Sequence, residues 1–92
     1  GARVRLMNST PAEFRRALIQ AFGPAVSAAA AGLLLDLDGV QLHFALERQD
    51  SQRLGALQID YLRVKISICA GEDAAAEKLL AKVDRATQRG GG

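Results

Sequence analysis

Aromatic residues are scarce in this 92-residue chain, which has no tryptophan, one tyrosine and three phenylalanines. The hydrophobic core must therefore be built mainly from Leu, Ile, Val and Ala. The single cysteine, Cys69, excludes an internal disulfide, and together with the single histidine, His43, it is too little for a zinc site. We therefore expect a domain without metal or cofactor, in a reducing compartment such as the cytoplasm.

The charge balance is nearly even, with 12 Lys and Arg against 10 Asp and Glu and a formal net charge of +2. A dedicated nucleic-acid-binding domain normally has a larger or more clustered positive excess, so nucleic acid is not the favoured partner. The longest apolar stretch, residues 28–35, is too short to span a bilayer, and no apolar signal core follows Arg3 and Arg5. We therefore expect no membrane partner.

Two segments carry the signals of helices. The Thr-Pro-Ala-Glu sequence at residues 10–13 is the pattern of a capping box with proline at the first helical position. Apolar residues then recur every three or four positions until a Gly-Pro pair, which predicts a helix over residues 11–22. The same spacing predicts a second helix over residues 73–89, with acidic residues in its first turn and arginines in its last.

Between the helices, apolar and polar residues alternate with the period of two that is typical of β-strands. Asp38-Gly39 between two such runs predicts a type I′ hairpin turn, which needs positive φ at both positions. Gly55 predicts a bulge, residues 48–52 a loop and residues 60–61 a tight connection. The predicted strands are residues 33–37, 40–47, 53–59 and 62–69.

This order of elements predicts an α+β fold: a two-layer sandwich with an antiparallel sheet of three to four strands and two helices, N- and C-terminal, on one face. The domain covers residues 9–89, while residues 1–8 and the glycine tail 90–92 are predicted to be flexible. Residues 24–31 are expected to form an irregular link or one short turn. The predicted core consists of Phe14, Leu18, Phe22, Leu42, Phe44, Val64, Ile66, Leu79, Leu80 and Val83.

The string at residues 33–40, LLLDLDGV, resembles the first motif of the haloacid-dehalogenase superfamily, an apolar strand followed by Asp-x-Asp-Gly-Val. The resemblance implies that Asp36 is a nucleophile and magnesium ligand and that Asp38 is a general acid/base. It covers eight residues, and the later Ser or Thr, the distant Lys and the further acidic pair of that family have no match in a similar context. The favoured interpretation of the string is a hairpin turn, with no catalytic or metal-binding residue.

His43 and Cys69 are predicted on the polar face of the sheet, along with Ser67. A Cys–His pair can act as nucleophile and base when the two side chains are adjacent. The favoured interpretation of His43 is a solvated strand residue, because a lone histidine specifies little.

Basic residues recur along one stripe of the predicted C-terminal helix, opposite its apolar residues. Such a stripe can bind phosphates or an acidic partner, although Glu77 and Asp84 flank it. Further polar residues lie on the open face of the last strand. The candidate interaction surface is Arg63, Lys65, Ser67, Lys78, Lys82, Arg85 and Arg89.

These observations favour a small non-enzymatic interaction or adaptor domain that self-associates as a homodimer and binds an unidentified protein. The last strand ends a meander, so it is predicted to be an exposed edge, and a second copy is expected to contact residues 61–69 either along this edge or face to face. One alternative is a nucleic-acid- or anion-binding module that uses the stripe of the C-terminal helix. A second alternative is a haloacid-dehalogenase-like phosphotransfer fragment that uses Asp36 and Asp38.

Overall fold

A computed structural model describes residues 2–88, which form an α+β fold with a five-stranded antiparallel sheet. A single turn of 3₁₀ helix, Gly23–Ala25, links the first helix to the second strand. The elements are β1 Ala2–Met7, α1 Pro11–Phe22, β2 Val26–Ala29, β3 Gly32–Leu37, β4 Val40–Leu54, β5 Leu57–Ala70 and α2 Asp73–Thr87. The α+β class is as predicted, and the sheet has more strands than the three to four expected. Its order is β1-β5-β4-β3-β2.

Helix α1 begins and ends where its sequence signals predict. The hydroxyl of Thr10 accepts from the backbone N–H of Glu13 at 3.2 Å, and the Glu13 carboxylate accepts from the backbone N–H of Thr10 at 2.9 Å. These two bonds complete the capping box and satisfy donors that the first helical turn leaves unpaired. Gly23 ends the helix with a φ of 57°.

The sequence predicts a flexible segment at residues 1–8. In the structure, Ala2–Met7 instead form β1. This strand pairs antiparallel with β5, from Ala2 opposite Ser67 to Met7 opposite Leu62. Its partner lies some sixty positions further along the chain, so no local pattern indicates the pairing. The prediction that the last strand is an exposed edge is therefore wrong, because β1 pairs with β5 on the side opposite β4.

A long hairpin replaces the loop at residues 48–52, the separate strand at residues 53–59 and the tight connection at residues 60–61 that the sequence predicts. β4 and β5 continue to Leu54 and from Leu57, and a two-residue turn joins them. Gly55 is in this turn, with a φ of 63°, and is not a strand bulge. Two irregularities lie elsewhere: at Asp50 and Ser51, between the Gln49 and Gln52 pairs, and at Cys69, between the Leu42–Ile68 and Gln41–Ala70 pairs. Likewise, residues 26–29 form β2 where an irregular link was predicted.

The core joins side chains of both helices with alternate residues of the strands. All the predicted core residues are buried except Phe22, which is half-buried against the same cluster. The rings of Phe14 on α1 and Phe44 on β4 are 5.7 Å apart and tilted by 56°, a favourable aromatic arrangement. Neither helix in the described part of the chain is long and apolar enough to cross a membrane.

Candidate functional site

One face of the sheet, here called the open face, carries the strand side chains that do not join the core. Along β5 these are the odd-numbered residues, and β1 contributes Val4 and Leu6 beside them. The opposite positions of β1, Arg3 and Arg5, point toward α2 and bond to its carboxylates. The other large or polar side chains of the open face include Asp36, Gln41, His43, Glu47, Tyr61, Arg63, Lys65, Ser67 and Cys69.

The residues predicted as an interaction surface fall into two groups that the structure keeps apart. Arg63, Lys65 and Ser67 lie on the open face of β5, where Arg63 forms an ion pair with Glu47 of β4 at 3.7 Å. The basic residues of α2 lie on a helix whose apolar residues join the core, whereas the strand group lies at positions of β5 that do not join it. Arg89 lies outside the described residues.

The stripe on α2 consists of Lys78, Lys82 and Arg85, whose side chains are exposed. The two acidic residues that flank it in sequence bond to β1. Arg5 donates from Nε and Nη2 to the Asp84 carboxylate at 3.1 and 3.2 Å, and Arg3 donates from both terminal nitrogens to Glu77. Because these carboxylates are paired with β1, they offset less of the charge of the stripe.

The Arg3–Glu77 pair changes the acid–base properties of both groups. Hydrogen bonding from the Arg3 guanidinium holds the pKa of the Glu77 carboxyl below its ordinary value, with help from the charges of Arg3 and Arg5. The same bond raises the pKa of Arg3. Both side chains are solvent-exposed, so the pair joins β1 to α2 at the surface and not within the core.

The distal part of the β4–β5 hairpin, residues 48–61, projects beyond the rest of the sheet and is here called the arm. The pairing of β3 with β4 ends at Ala45, and that of β1 with β5 ends at Leu62. Among the described residues, the two strands of the arm pair only with each other. No residue of the arm belongs to the core, and the arm contributes to the long axis of a molecule measuring 46 × 24 × 22 Å.

The two sides of the arm differ in chemistry. Apolar side chains lie on the side that continues the open face: Leu54, Leu57, Ile59 and Tyr61, here called the apolar strip. Leu54 and Leu57 pair at the tip and are 61% and 60% exposed. The Tyr61 hydroxyl donates to Gln52 Oε1 at 3.4 Å on this side, which places the ring along the strip.

The other side of the arm carries a chain of hydrogen bonds between polar side chains. Arg53 donates to Gln58 at 3.3 Å, Gln58 donates to Asp60 at 3.3 Å, and Ser51 donates to the same Asp60 carboxylate at 2.9 Å. These bonds connect β4 to β5 across the arm and fix its register without any core. Basic and acidic residues balance within the arm, with Arg48 and Arg53 against Asp50 and Asp60.

The distribution of exposed apolar side chains singles out the open face. Five large hydrophobic residues are exposed in the described chain: Val4, Leu6, Ile19, Leu54 and Leu57. All except Ile19, on α1, lie on the open face of β1 or of the arm. Single exposed apolar residues are common on protein surfaces, but a concentration on one side marks a candidate contact surface.

Asp36 and Asp38 occupy the positions that a hairpin requires. Asp38 and Gly39 have φ values of 52° and 82° and connect the paired residues Leu37 and Val40, as the predicted type I′ turn demands. The exposed Asp36 carboxylate accepts from Gln41 Nε2 at 3.1 Å across the strand pair. The string that resembles the haloacid-dehalogenase motif therefore forms β3 and the Asp-Gly turn that leads into β4.

His43 and Cys69 lie on neighbouring strands, since His43 is opposite Ser67 in the β4–β5 register. The His43 Nε2–H donates to the carbonyl of Ala30 at 2.7 Å, in the turn between β2 and β3. The exposed Cys69 thiol makes a 3.9 Å contact with the carbonyl of Ser67. The His43 side chain therefore stabilises the turn between β2 and β3, and it makes no hydrogen bond with Cys69.

Of the apolar strip, only Tyr61 falls within a predicted contact range, residues 61–69. The sequence does not predict its other members, or Val4 and Leu6 of β1, as site residues. The two leucines that flank a two-residue Gly-Ala turn are a signal for a hairpin tip. Their exposure does not follow from the sequence, because it depends on the arm extending beyond the strands that would otherwise cover it.

Within residues 2–88, no group of three or more His, Cys, Asp and Glu side chains is placed to hold a metal ion. The candidate contact surfaces are the open face, the arm and the stripe on α2. Comparisons with protein-family models, with curated proteins and with solved structures each find no match to this chain.

Proposed function

We propose that this chain is a non-enzymatic protein-interaction domain of the cytoplasm that inserts the apolar strip of its arm into an apolar groove of a partner protein. The observation that supports this most is the exposure of Leu54 and Leu57 at the tip of an arm that contributes nothing to the core. Exposed leucines of this kind lower solubility and add no folding stability, so a contact that buries them explains their presence.

The arm is built to bind without much rearrangement. The hydrogen bonds of Ser51, Gln58 and Asp60 hold its two strands together on the polar side. A preorganised segment loses less conformational entropy on binding than a flexible loop does. Leu57, Ile59 and Tyr61 then supply the apolar and aromatic side chains that dominate the energy of protein interfaces.

The charge of the arm favours a protein over a phosphate-bearing partner. Its two basic residues, Arg48 and Arg53, are matched by two acidic ones. Binding to nucleic acid or to an anionic membrane depends largely on an excess of positive charge. The proposal also includes the two-layer arrangement expected from the sequence, with both helices covering one face so that the open face and the arm remain free.

A photo-crosslinking amino acid at Ala56, in the turn of the arm, tests this proposal in cells. A matched position is Ala81 on α2, which is also exposed. The proposal predicts one recurrent protein adduct from position 56 that is lost when Leu54 and Leu57 are changed to Ser, and none from position 81. Equal adducts from both positions, or adducts insensitive to the two serines, would contradict it. Binding of the purified chain to phospholipid vesicles through the same leucines would also contradict it.

The stripe on α2 supports a second candidate function, the binding of nucleic acid or another polyanion. The specific observation is that Arg3 and Arg5 bond to the two carboxylates that flank Lys78, Lys82 and Arg85. Fluorescence anisotropy with a labelled single-stranded RNA tests it, because counterion release makes such binding weaken steeply with salt. Lys82→Glu should abolish the signal and Lys65→Glu, on the open face, should not.

A further inference from the structure

We propose that the outer edge of β1 pairs with β1 of a second copy of this chain, antiparallel about a twofold axis, to join two five-stranded sheets into one of ten strands. One side of β1 pairs with β5, and no strand of the described chain lies on the other side. An outer strand presents unpaired N–H and C=O groups that can pair with another strand. On β1 itself, Arg5 Nη1 makes a long 3.5 Å contact with the Val4 carbonyl.

β1 lacks two of the devices that normally protect an edge strand. Its register with β5 is regular from Ala2 to Met7, without proline or bulge. The charges of Arg3 and Arg5 are compensated by the carboxylates of α2, so they do not repel an approaching strand. The opposite edge, β2, has only four residues and no large exposed apolar side chain. The free edge of β1 therefore combines a regular register, compensated charge and exposed apolar side chains, which favour pairing with another strand.

The sequence of β1 identifies a second copy as the strand that fits. An antiparallel pair centred on Arg5 places Val4 of one copy opposite Leu6 of the other, twice, on the open face. These side chains are 45% and 75% exposed in the single chain, and the pairing covers both with apolar neighbours. On the other face the two Arg5 side chains meet near the axis, each bonded to Asp84 of its own copy. A foreign strand would need its own apolar residues at matching positions.

The symmetry leaves the arms free. A twofold axis perpendicular to the sheet keeps both open faces on the same side and points the two arms in opposite directions. This interface is therefore separate from the proposed contact of the arm, and one can fail without the other. A pair of six-residue strands is smaller than the standard interface of roughly 1,600 Å², so we expect a dissociation constant on the order of 10–100 µM.

Sedimentation equilibrium of the purified chain from about 10 µM to about 1 mM tests the proposal. The wild type should pass from monomer to dimer, and Val4→Lys or Leu6→Lys should raise the dimer dissociation constant about tenfold or more. Leu57→Lys is the matched control, since the exposure of this leucine, 60%, lies between those of Val4 and Leu6. Leu57 lies on the arm, so the change should leave the dimer unchanged. Amide NMR spectra of each variant establish that the monomer remains folded.

The pairing register is tested without any substitution by a dimer of one isotope-labelled and one unlabelled copy. Intermolecular nuclear Overhauser effects between the methyl groups of Val4 and Leu6 should appear in this sample. A monomer throughout the concentration range, a dimer that depends on Leu57 and not on Leu6, or a dimer without these methyl contacts would each overturn the proposal. Pairing of β1 with an added strand peptide by a chain that stays monomeric would overturn it as well.

Discussion

Arg5 of the first strand and Asp84 of the last helix form a two-bond ion pair, with donor–acceptor distances of 3.1 and 3.2 Å, across 79 positions of sequence. Both side chains are less than one third exposed, at 26% and 30%. The pair therefore ties β1 to α2 and holds in place the strand that covers β5. It also neutralises the charge beside the free edge of β1.

Removing the charge of Asp84 should loosen β1. Asp84→Asn is expected to lower the free energy of unfolding by about 1 kcal/mol, because a partly buried Arg–carboxylate pair with two bonds exceeds an ordinary surface pair. Hydrogen exchange of the β1 amides should accelerate more than that of β4. Glu47→Gln, which removes the 3.7 Å surface pair with Arg63, is the control and should change stability little. Equal effects of the two substitutions would contradict this role.

The Arg3–Glu77 pair should contribute to stability with a defined pH dependence. The folded-state pKa of Glu77 lies below its ordinary value. The pair therefore stabilises the fold above the unfolded-state pKa, and this contribution disappears as the pH falls through the folded-state pKa. A carbon-detected NMR titration of the Glu77 carboxyl should show a depressed pKa that rises in Arg3→Gln. A pKa that does not move in this variant would show that Arg3 is not the cause.

Gly32 should be intolerant of any side chain. A Cβ at this position would lie 2.0 Å from the carbonyl oxygen of Phe44, a backbone atom that cannot move aside. Gly32→Ala is expected to cost about 1–3 kcal/mol in urea unfolding, because β3 must shift away from β4. Gly39→Asn is the matched control, since open space surrounds Gly39 and Asn tolerates its positive φ. An unchanged midpoint for Gly32→Ala would refute the close approach.

Asp36 and Asp38 should not bind magnesium. Asp38 is exposed in a turn and Asp36 accepts from Gln41, while the described chain offers no third acidic or histidine ligand beside them. Amide shifts of the two residues should therefore not saturate up to about 10 mM Mg²⁺. Saturation in the millimolar range, with phosphate-ester hydrolysis lost in Asp36→Asn, would instead support the phosphotransfer alternative.

The elements that could be predicted are those with local signals. The capping box at Thr10 and Glu13, the Asp38-Gly39 turn and the alternation of residues 62–69 each depend on neighbours a few positions away. Such signals set the α+β class and nearly all of the core. The basic stripe on α2 could also be predicted, because helical spacing is a local pattern.

The elements that were missed depend on distant partners. β1 is a strand because β5 and α2 hold it, through pairs such as Arg5 with Asp84, and its own six residues show no helix or turn signal. The residues of the arm join no core, so their sequence lacks a continuous alternation of apolar and polar residues. It therefore predicts a loop, a separate strand and a tight connection in place of one hairpin. The predicted surface combines residues of β5 and of α2, because the periodic patterns mark side chains as exposed and do not show which of them are adjacent.

Calorimetric titration of this chain with the purified partner recovered by crosslinking at position 56 shows whether the apolar strip of the arm binds protein. The combined change of Leu54 and Leu57 to Ser should weaken the affinity for this partner about tenfold or more, as expected for buried anchor residues. Ile19→Ser, at an exposed apolar position of α1, should leave the affinity within about twofold of the wild type. An affinity that the two arm serines do not change would contradict the account.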